Sequence, residues 1–398
     1  MQRMFLLEGS IQHYTWGGYS FLPQLMGREN DGHQPFSEYW LGTHPLMESR
    51  VHTKNGVNSL INLIKANKEE VLGEACAKQF GALPFLLKIL DVRQMLSIQV
   101  HPDQQQAMEG FERENKEGIQ LSAPNRNYKD ANHKPEMLVA LSDFWLLHGF
   151  KPTEELNRTF ETVPEFSSLK SYFFDGGYKT LYSHVMEMEQ GQVNDLLTPL
   201  RERIMEPYTS GELTRDNADF WAARAMDTYT KKGDFDRGIF SIYFFNLVHL
   251  KKGEGLFQGA GLPHAYLEGQ CVELMANSDN VLRAGLTDKH IDVAELLRLV
   301  KYQETYPSII KQEKGERSVY PAPVPEFQLQ QYNLLKGEQT DIELSPASEL
   351  LMIQGEVILR TGGEELTLVK GGAAFIIANT QLQAEAAIDC KFFIATVP

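Results

Sequence analysis

Gln99 and His101 stand two residues apart in the segment Leu96-Ser97-Ile98-Gln99-Val100-His101, where apolar and polar residues alternate strictly. As a strand, this segment puts Leu96, Ile98 and Val100 on one face and Ser97, Gln99 and His101 on the other. Two donors at that spacing can converge on one ion. Zinc favours nitrogen, sulfur and carboxylate oxygen, and a catalytic zinc site usually keeps three protein ligands and an open position. Glu136 follows Pro135 at the head of an otherwise apolar run, where a buried carboxylate is costly without a cation or a hydrogen-bonding partner. Glu273, between Val272 and Leu274, raises the same question. Lys134 and His133 adjoin Glu136, and a lysine beside a divalent cation or an arginine is shifted toward the range useful for base chemistry. Read singly, each has a plainer interpretation: a packed strand histidine, or an acid or lysine facing water.

The elements that position these groups follow from periodicity. Pro102-Asp103 opens a polar helical stretch to about Gly118, and a loop rich in Asn, Pro and Lys leads to the apolar run Met137 to Leu147. From Thr153 to about Asp236, apolar residues recur at helical spacing, as in Leu181, Val185 and Met188 and again in Val193, Leu196, Leu197, Leu200 and Ile204, which predicts packed amphipathic helices. From Ile239 the run IFSIYFFNLVHL reads as strand, and a Gly-rich turn leads into GLFQGAGLPHAYLEGQCVELMA. A helix near Val293–Val300 precedes a tail of short β-type runs from about Tyr320, broken by Gly-containing turns, the signature of an antiparallel sandwich or barrel. The expectation is a mainly β protein with a helical insertion: a discontinuous β domain over 1–152 and 237–302, helices over 153–236, and a second β domain over 303–398.

The turn Gly259-Ala260-Gly261-Leu262-Pro263-His264 resembles the second motif of cupin barrels, in which a Gly-containing turn delivers a His into the barrel mouth. Cupins usually supply the other ligands from an H-x-H pair and a Glu a few residues later; here Gln99 takes the first His position and Glu136 follows after a 34-residue insertion. That departure matches the type I phosphomannose isomerases, whose ligand set is Gln, His, Glu, His. Further stretches carry the same likeness: Tyr14-Thr15-Trp16-Gly17, Glu38 to Pro45 with Trp40 and His44, Leu96 to Pro102, Asn132 to Met137, and Asn277 to Thr287. Trp16, Trp40 and His44 read alone as packing or loop residues. The resemblance implies a cupin-type jelly-roll catalytic domain, a C-terminal cupin-like domain, and one zinc ion held by Gln99, His101, Glu136 and His264. It implies interconversion of mannose 6-phosphate and fructose 6-phosphate by enediol-type proton transfer, with Arg283, Lys134 and Glu273 at the reacting centre and Lys289 and Lys88 on the phosphate. An arginine does not readily release its proton, so Arg283 suits charge stabilisation rather than base chemistry.

Bulk properties narrow the partners. A net charge of -15 over 398 residues repels polyanions and disfavours nucleic acid, although convergent Lys and Arg can reverse the potential in one cleft. The start of the chain lacks the apolar core of a signal peptide, and no run approaches a membrane span. Cys76, Cys271 and Cys390 are odd in number and widely separated, which argues against a disulfide framework. A cytoplasmic monomer acting on a small phosphorylated hexose is expected, and no P-loop or GxGxxG turn calls for a nucleotide. The tail contains no histidine after His290, so a second metal site of cupin type is not expected there. Two other readings use the same pocket: a non-catalytic sugar-phosphate-binding cupin, against which Lys134, Glu273 and Arg283 argue, and a metal-dependent cupin oxygenase, which Gln99 in a histidine position disfavours.

Overall fold

The computed structural model describes residues 2–313 and 315–398. Two ten-stranded sheets, antiparallel throughout their paired strands, account for most of the β structure. The first runs Phe245–Leu250, Phe144–Phe150, His264–Ala276, Phe85–Val92, Glu38–Gly42 and Ser10–Gln12, with Glu136–Ala140, Gly255–Gln258, Ile98–Val100 and Leu282–Gly285 attached beside it. The second is built on Ser348–Thr361 and Thr380–Thr396 and recruits Met4–Glu8, Arg50–Thr53 and Gly56–Ser59 from the start of the chain. Both run as open paths of hydrogen-bonded strands rather than closed rings. The N-terminal segment thus contributes to both sheets.

Alternation along each strand separates core from pocket. Leu87 and Ile89 join Met137, Val139, Val272 and Leu274 in an apolar layer with Leu351, Phe375 and Phe393 of the second sheet. Lys88 and Leu90, one residue out of phase, turn to the opposite face and line a pocket. The helical insertion covers another side. Leu181, Val185, Val193, Leu197, Leu200 and Ile204, all at the predicted helical spacing, pack with Ile98 and Val100 of the Gln99 strand. That strand therefore backs onto the same apolar core as the insertion. Immediately after it, Asp103 caps the helix Gln104–Lys116 in a capping box: Oδ1 accepts from Gln106 N at 2.8 Å, and Gln106 Oε1 accepts from Asp103 N at 2.9 Å.

Two sequence expectations fail locally. Ile239 to Phe244 form the helix Gly238–Phe244, and strand begins only at Phe245. All seven residues of this helix are buried, so no polar side imposes a 3.6-residue period, while Ile, Phe and Tyr mimic strand composition. Packing decides the conformation: Phe166 lies 5.2 Å from Phe240 and 5.1 Å from Tyr243, between ring centroids. Leu96 also leaves the expected face. The strand starts at Ile98, and Leu96 packs at the pocket beside Leu90 and Leu138.

Candidate metal centre and active site

The residue after strand Ile98–Val100 and the first residues of strands Glu136–Ala140 and His264–Ala276 bring His101, Glu136 and His264 together, with one donor atom from each lying within 4.8 Å of the others. His101 Nε2 is 3.4 Å from Glu136 Oε1, and His264 Nε2 is 3.3 Å from Glu136 Oε2. The other ring nitrogen of each histidine is committed: His101 Nδ1 donates to Asn280 O at 2.9 Å and His264 Nδ1 to Leu262 O at 2.9 Å. These bonds leave both Nε2 lone pairs facing the carboxylate, the arrangement seen in metal-ligating histidines. Burial pushes His101 down to about 4, against the opposing pull of Glu136, so the ring is neutral as a ligand must be. His101 Nε2 is buried without a hydrogen-bond partner, a cost that a cation in this position removes. The N, N, O donor set and the orphaned nitrogen fit zinc. Gln99 lines the same pocket and is the register partner of His264.

A second group of buried charges forms the pocket floor. Lys88 Nζ lies 3.3 Å from Glu273 Oε2 and 3.6 Å from Glu38 Oε2, and 4.8 Å from the centre of the Trp40 ring. Tyr266 Oη donates to Glu273 Oε1 at 2.8 Å, and Trp40 Nε1 donates to Glu38. Burial disfavours the Lys88 ammonium, yet the carboxylates of Glu38, Glu273 and Glu136 outweigh it and hold the pKa above the ordinary lysine value. Glu273 moves the other way: burial and then the charge of Glu136 raise it above the usual carboxylate range, against Lys88 and Lys134. Lys134 Nζ reaches Glu136 Oε1 at 3.5 Å and lines the pocket.

His264 and Glu273 occupy one strand, nine positions apart, an odd spacing that would put them on opposite faces of an unbroken strand. The register with Phe144–Phe150 shifts between Tyr266 and Glu268, and this irregularity resets the phase. Gly269 follows at φ +130°, where an added Cβ would meet Asp143 O at 2.6 Å. Only glycine suits that position. His264, Tyr266 and Glu273 consequently all line the pocket, whose volume is about 100 Å³.

Arg283 sits opposite Gln99 in the adjacent strand. Burial alone lowers its guanidinium from the ordinary value, with no partner carboxylate among the described residues to offset it. Lys289 is exposed along its side chain, but its ammonium is partly desolvated, and that, followed by the nearby Arg283 charge, lowers its pKa. These two cations lie on the Gln99 side of the site, whereas Lys88, which the resemblance places on phosphate, is enclosed between carboxylates. His133, considered for proton transfer, is bound 2.8 Å from Glu326 instead. The sequence gives Glu38 only as the start of a family-like stretch, without a role in the site, and Tyr266 is not singled out at all. The signals were present: Glu38 heads an apolar strand as Glu136 does, and Tyr266 follows His264 by two residues. His44 lies 3.0 Å from Asp279 and packs edge-on to Trp40.

Residues 4–153 match the family model for the catalytic domain of type I phosphomannose isomerase. The mannose-6-phosphate isomerase of Shigella flexneri is 37% identical over 384 residues, covering 94% of each chain. The human mannose-6-phosphate isomerase is 35% identical over 415 residues, covering 95% of this chain and 94% of the relative. A crystal structure of the Salmonella typhimurium mannose 6-phosphate isomerase with fructose 6-phosphate and zinc bound superposes with a TM-score of 0.89 at 34% identity, over 100% of both chains. With similarity extending from end to end and the His, Glu, His centre in place, the chain belongs to the type I mannose-6-phosphate isomerase family.

Proposed function

We propose that this protein interconverts mannose 6-phosphate and fructose 6-phosphate at a zinc site formed by Gln99, His101, Glu136 and His264, through enediol-type proton transfer. The observation that carries the reading is the apposition of the His101, Glu136 and His264 cluster with the Glu273 and Lys88 network in one pocket. Bound zinc would supply Lewis acidity toward the sugar oxygens and a template for orienting them. The residues do the rest. Isomerisation moves one proton between adjacent carbons and another between their oxygens. Glu273, made more basic by burial and the Glu136 charge, is positioned to take and return the carbon-bound proton. Tyr266 and Lys88, each bonded to one of its oxygens, orient it. Lys134 stands beside the metal ligand Glu136 and can serve the oxygen-bound proton.

The pocket at the metal cluster, about 100 Å³, is small beside a phosphorylated hexose, and we place only the reacting end of the sugar in it. The phosphate therefore belongs outside it, where exposed Lys289 lies close to Arg283. Arg283, without a carboxylate partner, is free to stabilise charge that develops on the substrate. We assign Lys88 to the reacting end rather than to phosphate, because two carboxylates already neutralise it. The three cysteines are unpaired and buried, which supports a reducing, cytoplasmic setting. Coupled conversion of mannose 6-phosphate, assayed before chelation, after chelation and after zinc is returned, tests the reading. Loss and recovery are expected; full turnover in verified metal-free protein would refute it.

A further inference from the structure

The turn that delivers His264 is held at both ends by the strand Phe144–Phe150. At the start, His148 Nδ1 donates to Gln258 Oε1 at 2.8 Å, and Gln258 is the last residue of the preceding strand. At the end, Gly149 N donates to Pro263 O at 2.8 Å, one residue before His264. In the middle, Gly261 N donates to His101 O at 2.8 Å, which ties the turn to another member of the metal cluster. The register adds a second link. His148 is the cross-strand partner of His264, and Gln258 is the cross-strand partner of Glu136, so a single side-chain hydrogen bond joins the neighbours of two cluster residues.

His148 and Gln258 are buried, at 4% and 0% exposure, and the amide of Gln258 keeps a buried Nε2 without a partner. An unsatisfied buried donor costs about 1–3 kcal/mol, and an apolar pair at the same two positions would avoid that cost. Burial lowers the His148 pKa to about 4, so at neutral pH the ring is uncharged and carries one N–H. We infer that His148 and Gln258 form a clamp that positions the turn over residues 259–263, and with it His264, and so sets the affinity of the site for zinc. Neither residue touches the reacting atoms; both are positioning residues. The inference rests on the zinc reading above and goes beyond it by assigning residues outside the ligand set.

Zinc affinity of the full chain, measured by competition with a chromophoric chelator, tests the clamp alongside the melting temperature of the metal-free protein. Partners that orient metal ligands typically account for about 10–100-fold in affinity. Gln258→Met and His148→Leu should each weaken zinc binding by that factor, while the melting temperature of the metal-free protein falls only as far as one newly unpaired buried group explains. His148→Asn, which keeps a donor near the Nδ1 position, should recover most of the affinity. At saturating zinc, turnover of the weakened variants should return toward the wild-type value. Unchanged zinc affinity in Gln258→Met and His148→Leu would overturn the clamp, as would a His148→Asn variant no better than His148→Leu. Should His148→Leu fail to fold, Gln258→Met decides alone. A wild-type chain that binds no zinc would refute the metal assignment itself, a result distinct from failure of the clamp.

Discussion

The sheet containing His264 buries Glu38, Lys88, Glu136, Glu273 and two histidines within reach of one another, whereas the sheet built on Ser348–Thr361 buries, among the described residues, the single carboxyl of Glu349, whose oxygens have no partner there. Cavity size runs in the opposite direction. A groove of about 800 Å³ lies on the second sheet, bordered by Asp341, Arg360 and Glu365, against about 100 Å³ at the metal cluster. Arg360 in that groove is neutralised by Glu365 at 2.9 Å and by Glu385. Volume alone thus points to the wrong sheet. What marks the site is the convergence of titratable groups in a small, buried space, where each shifts the others.

The sharpest way to break this comparison is to remove a cluster ligand. His264→Ala should lose stoichiometric zinc and reduce turnover to background while the helices and second sheet stay folded; metal analysis with circular dichroism checks it, and normal zinc content would exclude His264 as a ligand. Arg283→Lys comes next. It keeps the charge but not the planar fork of donors, so kcat should fall about 10²–10³-fold with zinc retained. A rise in KM with kcat nearly unchanged would instead place Arg283 on ground-state phosphate.

Stability sharpens the contrast between the sheets. Lys88→Met leaves Glu38 and Glu273 buried without their cation, and loss of one partner from such a group costs about 3–5 kcal/mol. Arg360→Met in the exposed groove should leave the urea midpoint unchanged. Equal losses in the two variants would erase the distinction.

Glu349 supplies a pH test of the second sheet, with no effect on stability below about pH 4.5. Burial pushes its carboxyl up to about 8, so the folded protein holds a proton that the unfolded chain releases near pH 4.5. The native state is favoured below that pH, and stability declines as pH rises toward 8, by an amount on the order of 4 kcal/mol at the upper end. Glu349→Met should abolish that decline and stabilise the protein at pH 8. Parallel stability curves for wild type and variant between pH 5 and 8 would show that Glu349 is not titrating in that window.

Local pattern was enough for much of the architecture. Period-two alternation placed Gln99 and His101 on one face, helical spacing located the insertion from Leu181 to Ile204, and Asp103 announced the helix it caps. The same pattern failed at Ile239 to Phe244, where burial on every side erased the period that distinguishes helix from strand.

The sequence by itself determined which residue types were available: a His, Glu, His set, an isolated Glu273 and a turn suited to deliver His264. Only the tertiary structure decided that they meet. Glu273 reaches the pocket of His264 because a shift in strand register and the positive φ of Gly269 change the side-chain phase between them. Lys88 became a buried partner of Glu38 and Glu273, rather than an exposed phosphate contact, because three separate strands place those charges on one face. The physical reason is the same in both cases. Side-chain direction is a local property of the backbone, whereas the neighbour a side chain meets depends on the pairing of strands far apart in sequence.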